Sequence, residues 1–98
     1  MTTSYFERVA AGAAWLDEHR PGWVDRVDPV TLDLGDECHC VLGQEYGNAF
    51  RAPGEAVYGP VSPAFFADDE LEMVSDEVQF EALTEEWRRL ILERRAAA

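Results

Sequence analysis

Trp15-Leu16-Asp17-Glu18-His19-Arg20-Pro21-Gly22-Trp23, then Val27-Asp28-Pro29-Val30-Thr31-Leu32-Asp33-Leu34, then Cys38-His39-Cys40-Val41-Leu42-Gly43-Gln44-Glu45-Tyr46-Gly47 form the stretch on which the fold turns. Its stops and starts are those of helices. Pro21 disfavours helix geometry at the residue before it and Gly22 permits a tight turn, so a helix arriving from the N-terminal side ends near His19 or Arg20. Trp23 then starts a new direction. Asp28-Pro29 is a start signal, a capping carboxylate followed by proline in the first helical position, and predicts a short helix from Pro29 to about Leu34. Val30 to Leu34 also alternates apolar and polar residues as a strand would. With no second strand to pair with, the helix is preferred. Gly35-Asp36-Glu37 turns the chain into another helix from about Cys38 to Tyr46, with Val41, Leu42 and Tyr46 facing the core and Gly47-Asn48 ending it.

Upstream, Ser4 with Glu7 three residues on has the spacing of a capping box, which predicts a first helix from about Tyr5 to His19. Phe6, Val9, Ala10, Ala13 and Leu16, with Tyr5 beside them, make its core stripe, and Trp15 is a core anchor. Ala10, Gly12, Ala13 and Ala14 let another helix approach closely, although Gly12 weakens the helix itself. Downstream, residues 48–63 are punctuated by glycine and proline around Phe50, Val57 and Tyr58. They read as an irregular surface loop, pinned back by a short helix or turn near Ala64-Phe65-Phe66. Asp76 is the expected cap of a last helix, with Gln79 at capping-box spacing. Phe80, Leu83, Trp87, Leu90 and Ile91 form that helix's stripe, and Glu85 pairs with Arg89 at four-residue spacing. Acids crowd its start and arginines its end, as the helix dipole favours. The closing alanines, 96–98, are expected to fray. The resulting expectation is one all-α domain over residues 1–98. It has four or five helices, the long first and last packed together and Trp23 to Gly47 folded across them.

A chain of 98 residues buries a modest fraction of its surface, so its core depends on a few large side chains. Five phenylalanines, three tyrosines and three tryptophans supply them. The formal net charge of −12 comes from 20 carboxylates against eight arginines, with no lysine. Clustered positive charge for phosphate is missing, which argues against direct nucleic-acid binding. A surface this acidic suits solubility and encounter with a basic partner, and it could also imitate a DNA backbone. That last alternative rests on the nine carboxylates between Asp68 and Glu86. Nothing near Met1 resembles a signal peptide and no window has the length of a membrane span. The expected compartment is the cytoplasm, where Cys38 and Cys40 stay reduced. They also stand too close in sequence for an unstrained bridge.

Cys38-His39-Cys40, with His19 upstream, is the one constellation of metal-ligand residues. Structural zinc usually takes cysteines in knuckles with two or more residues between them, so a zinc-stabilised module is only an alternative and no cofactor is expected. A cysteine nucleophile has neither an oxyanion-forming turn nor a histidine at workable spacing. Paired carboxylates such as Asp17-Glu18 and Asp68-Asp69-Glu70 follow from composition, and no phosphate-binding glycine loop or zinc-protease motif is present. No catalytic residue is assigned and the chain is read as non-enzymatic.

Trp15-Leu16-Asp17-Glu18, Arg20-Pro21-Gly22-Trp23, Val27-Asp28, Leu32-Asp33-Leu34 and Cys40-Val41-Leu42-Gly43-Gln44 resemble a group of small proteins of actinobacteriophages and actinomycete genomes, and Leu83 to Arg88 looks like the group's closing helix. The resemblance implies a compact phage or prophage accessory protein and makes Cys40 a core position. It carries no assigned activity. The expected action is binding to a host or phage protein, without membrane or direct nucleic-acid contact. Trp23, Phe50, Tyr58, Phe65 and Phe66 adjoin turns and are the interaction candidates.

Overall fold

A computed structural model describes residues 4–68 and 74–97. Among these the regular elements are all helices, joined by turns. Helix α1 spans Tyr5–His19, α2 Trp23–Arg26, α3 Val41–Tyr46, α4 Gly54–Val57 and α5 Asp76–Ala97, with single 3-10 turns at Ala49–Arg51 and Ser62–Ala64. The long first and last helices pack together, and α2 lies against α5. At about 1.5 Å per residue, the 22 residues of α5 account for most of the molecule's 37 Å long axis. No helix among the described residues is long and apolar enough to cross a membrane.

Helix α1 begins and ends where its punctuation requires. The Ser4 hydroxyl accepts the Glu7 amide at 3.1 Å, and the chain leaves through Arg20 into Gly22, whose φ of 86° lies in the left-handed region that glycine tolerates. Its buried face differs from the expected stripe. Phe6 is 58 % exposed and Ala10 is exposed, while Arg8, Val9, Gly12, Ala13, Trp15 and Leu16 are buried. The face rotates because Arg8 has acceptors inside: the carbonyls of Pro63 at 2.7 Å and Phe66 at 3.0 Å, and Gln79 Oε1 at 3.4 Å. Three acceptors on Nε and Nη2 offset the burial of the cation, although its Nη1 has no partner among the described residues and burial lowers its pKa. Gly12 has its own use. A Cβ there would stand 2.5 Å from Ala64 Cβ and 2.9 Å from Trp87 Cζ2, so its bareness lets the 62–64 turn and α5 close on α1.

All three tryptophans meet around Phe65. Trp87 stacks on Phe65 with centroids 5.3 Å apart, Trp23 meets Trp87 edge-on at 5.5 Å, and Trp15 meets Phe65 edge-on at 6.4 Å. The polar ends of two are satisfied: Trp87 Nε1 donates to the Ala64 carbonyl at 2.8 Å and Trp23 Nε1 to Asp17 at 2.9 Å. The Trp15 indole N–H is buried without an acceptor among the described residues, with the ring stacked on His19.

Residues 28–40 are neither the expected helix from Pro29 to Leu34 nor a strand. They are a succession of turns strapped onto α5. The Asp28 carboxylate accepts the amide of Val30, two residues on, which closes an Asx turn where a helix N-cap would reach further along the chain. Arg88 then donates to the carbonyls of Pro29 at 2.9 Å and Leu32 at 3.3 Å, and Leu34 N–H donates to Thr84 Oγ1 at 3.0 Å. These long-range partners satisfy backbone groups that helix bonds would otherwise serve. Leu32 and Leu34 still point inward from the strap.

Helix α3 starts at Val41, three residues later than expected. Cys40 is its N-cap, with Sγ accepting the Gly43 amide at 3.2 Å, while Asp36 occupies the amides of Cys38 and His39 in a preceding turn. Gln44 ties α3 to the strap: its side chain accepts from Asp28 N–H and donates to the carbonyls of Asp28 and His39. Residues 48–63, expected as an irregular loop, carry α4 and the first 3-10 turn, and bury Ala49, Ala52, Ala56 and Val57. The second 3-10 turn, at Ser62–Ala64, pins the segment to α1, close to the expected place.

In α5, Leu83, Trp87 and Ile91 are fully buried and Phe80 and Leu90 pack against the core, as the stripe predicts. Its cap is Ser75, whose hydroxyl accepts the Val78 amide at 3.3 Å, one residue before the expected Asp76. Gln79 is buried and bonds Asp68 N–H and the carbonyls of Asp68 and Val74. Arg89 pairs with Glu86 and Glu93 in place of Glu85, which pairs with Arg88. The helix continues through Ala97, into the closing alanines.

Candidate functional site

The arginines determine the character of the surface. Every arginine except Arg51 donates to acceptors of the chain itself. Arg20 and Arg26 converge on Glu45, whose side chain is only 2 % exposed, at 3.4 and 2.6 Å. Arg88 and Arg95 clasp backbone carbonyls of the strap and of α2 and the residue after it. Arg94 donates to Asp17 at 2.7 Å. Apart from Arg51 the arginines are therefore engaged within the fold, while carboxylates such as Asp76, Glu77 and Glu81 are exposed with no ion pair among the described residues. The electrostatic field outside the molecule is correspondingly negative.

Asp17 shows how these contacts tune acidity. The hydrogen bond from Arg94 is the main reason its pKa lies below the ordinary aspartate value. Partial burial opposes that shift and the Trp23 indole assists it. A carboxylate depressed in the folded state stabilises the fold above its unfolded pKa, about 3.9, and this contribution disappears as pH falls through the lower folded value. Asp17→Asn is therefore expected to lower the denaturant midpoint at neutral pH, with the gap from wild type closing in acid. A gap that stays constant from neutral pH into strong acid would show that Asp17 acts only through shape.

A concavity lies along the N-terminal half of α5. A groove of about 670 Å³ is lined by Asp33 and Gly35 of the strap and by Asp76, Glu77, Phe80 and Glu81 of α5, with Thr84, Glu85 and Arg88 further along. Next to it, about 440 Å³ of space lies between the Leu34–Glu37 turn, Cys40, Ala49, Phe50, Phe66 and Phe80. Gly35 and Phe80, which lie against each other, border both, so the two hollows adjoin along one face and are described together as a groove. Asp36, on its edge, has a lowered pKa, first because the Cys38 amide donates to it and then through His39, 3.0 Å away.

The expected interaction residues separate into two groups. Trp23 and Phe65 are 1 % and 0 % exposed and belong to the aromatic core, because the turns beside them fold their rings inward. They cannot meet a partner. Phe50 and Tyr58 are 59 % and 86 % exposed, and Phe66 is partly buried beneath Phe50, with ring centroids 5.8 Å apart. Periodicity missed the contribution of Phe80 and the strap to the same groove, since residues 33–37 and 76–81 are brought together only by the tertiary fold.

His19, Cys38, His39 and Cys40, the set weighed for zinc, are engaged separately. His19 stacks on Trp15 and bonds its carbonyl, Cys40 is the buried cap of α3, His39 pairs with Asp36, and Cys38 is exposed. Burial raises the Cys40 thiol pKa, so it is held away from the thiolate form a metal requires. Among the described residues no three His, Cys, Asp or Glu side chains stand close enough to hold a metal ion. The acidic stretch weighed for DNA mimicry includes residues 69–73, which lie outside the described residues. The chain matches no family model, no curated protein and no solved structure.

Proposed function

We propose that this chain is a non-enzymatic accessory protein that works by binding another protein. The resemblance of its Trp15 to Gln44 motifs to actinobacteriophage proteins supports a host or phage protein in an actinobacterial cytoplasm as that partner. The carrying observation is the division of charge. Among the described residues the arginines other than Arg51 are held by the chain's own acceptors, while carboxylates such as Asp76, Glu77 and Glu81 are exposed, as are Phe50 and Tyr58, in a chain of net charge −12. An anionic surface with a few exposed aromatics favours rapid encounter with a basic protein, followed by apolar anchoring. Of the histidines and cysteines, Cys40 caps α3, His19 stacks on Trp15 and His39 pairs with Asp36, while Cys38 is exposed.

The test is capture from actinobacterial lysate on immobilised protein, followed by reconstitution with the purified captured protein. Saturable binding that weakens as salt rises supports the reading. Retention of nothing above a blank column, or of material that does not rebind when pure, overturns it. DNA mimicry is the second reading, favoured by Asp76, Glu77 and Glu81 along one wall of the groove. It predicts that the protein displaces DNA from a captured DNA-binding partner at low salt.

A further inference from the structure

We infer that the groove from Asp33 past Gly35 and Phe80 to Phe50 is a docking surface, and that its occupant is a basic amphipathic segment of a partner protein. This inference rests on the protein-binding reading above and adds where the contact is made and by what chemistry.

The two ends of the groove differ. At one end Phe50 stacks over Phe66, and Phe80, Leu34 and Ala49 complete an apolar floor. Phe50 is 59 % exposed although that floor lies beneath it, so further burial is available to an incoming apolar side chain. At the other end the walls carry Asp33, Asp76, Glu77, Glu81 and Glu85. Arg88, the cation of this lining, is engaged by the Pro29 and Leu32 carbonyls and by Glu85. Asp33 accepts the Gly35 amide, whereas Asp76, Glu77 and Glu81 have no ion pair among the described residues. The positive end of the α5 dipole lies here, but it amounts to only about half a charge, which two carboxylates in the first turn outweigh. The potential in the acidic half is therefore negative.

Those two halves select the occupant. Apolar side chains fit the Phe50–Phe66–Phe80 end, and lysine or arginine fits the Asp76–Glu81 end. An acidic segment is repelled, and a basic segment without apolar anchors gains only screened attraction. Nucleic acid is excluded by the same sign of charge.

The experiment compares three short synthetic peptides against the whole protein by fluorescence anisotropy at near-physiological salt. The first combines arginine and leucine at helical spacing, the second replaces each leucine with serine, and the third replaces each arginine with glutamate. The inference expects only the first to bind saturably. It also expects Phe50→Ala and the double variant Glu77→Arg/Glu81→Arg each to weaken that binding roughly tenfold or more. These residues are exposed, so the variants should keep the helical spectrum of the wild type. Val30→Ala, at an exposed apolar residue outside the groove, should bind as wild type does. Equal binding of the arginine–serine peptide would mean charge alone is at work and overturns the inference. So would unchanged binding in both groove variants, or no binding of the first peptide. If lysate capture succeeds and survives both groove variants, protein binding stands and this location for it falls.

Discussion

Trp87→Ala is expected to destabilise the domain by about 3–5 kcal/mol, the usual cost of removing a buried large aromatic side chain. Domains of this size have only about 5–15 kcal/mol in total, so a large part of the margin goes with one side chain. Trp87 is fully buried, stacks on Phe65, meets Trp23 edge-on and donates its indole N–H to the Ala64 carbonyl. It is the contact through which α5, α2 and the 62–64 turn share one core. The alanine variant removes the ring and leaves the Ala64 carbonyl without its donor, so cavity and lost hydrogen bond act together. Trp87→Phe separates the two, retaining an aromatic ring while deleting the donor, and should cost distinctly less than the alanine change. Urea denaturation followed by far-ultraviolet circular dichroism, which does not depend on the mutated chromophore, measures both. An alanine variant within about 1 kcal/mol of wild type, well below the cavity range, would mean that this aromatic cluster is not the centre of the fold.

The helical class and the ends of α1 were legible because their signals are local. Ser4 and Glu7 lie within one turn, and Pro21-Gly22 acts on its immediate neighbours. The stripe of α5 was legible for the same reason. What periodicity could not show is which polar residue finds partners far along the chain. Arg8 displaced Phe6 from the buried face because acceptors arrive from Pro63, Phe66 and Gln79. Residues 29–34 stayed out of helix because Arg88 and Thr84 supply their hydrogen bonds from α5. The candidate surface was half legible. Phe50 and Tyr58 are exposed near turns, as expected, yet the same rule wrongly placed Trp23 and Phe65 outside. Adjacency to a turn tells where the backbone bends and leaves open on which side of the bend a ring lies. The groove itself joins residues more than 40 positions apart, Asp33 with Asp76, and no local pattern encodes that.

Gly43→Ala tests the tightest of the glycine positions, and here local and tertiary physics predict opposite signs. Gly43 lies inside α3, where alanine is the better helix former by about 1 kcal/mol. A Cβ built on it, however, would stand 2.3 Å from the Glu37 carbonyl oxygen, 2.6 Å from the Cys38 carbonyl carbon and 2.8 Å from Cys38 Cα. All three are backbone atoms, so no side-chain rotation relieves the clash. The Glu37 carbonyl is also fixed, because it accepts the Ala49 amide at 2.8 Å. Relief would require α3 to lift from the 36–40 turn, which would break the Cys40 cap on the Gly43 amide and strain the Gln44 links to Asp28 and His39. Overpacking of this kind costs about 1–3 kcal/mol and occasionally more; with rigid atoms on every side, the upper end is expected. Gly54→Ala is the matched control. It too is helical, in α4, but a Cβ there meets nothing within 4 Å. The control should therefore gain a few tenths of a kcal/mol up to about 1, from helix propensity and a less flexible unfolded chain. Denaturation midpoints moving in opposite directions for the two substitutions are the expected result. If both variants were stabilised alike, α3 would not be seated against the 36–40 turn, and the strap that forms one wall of the groove would lose its anchor.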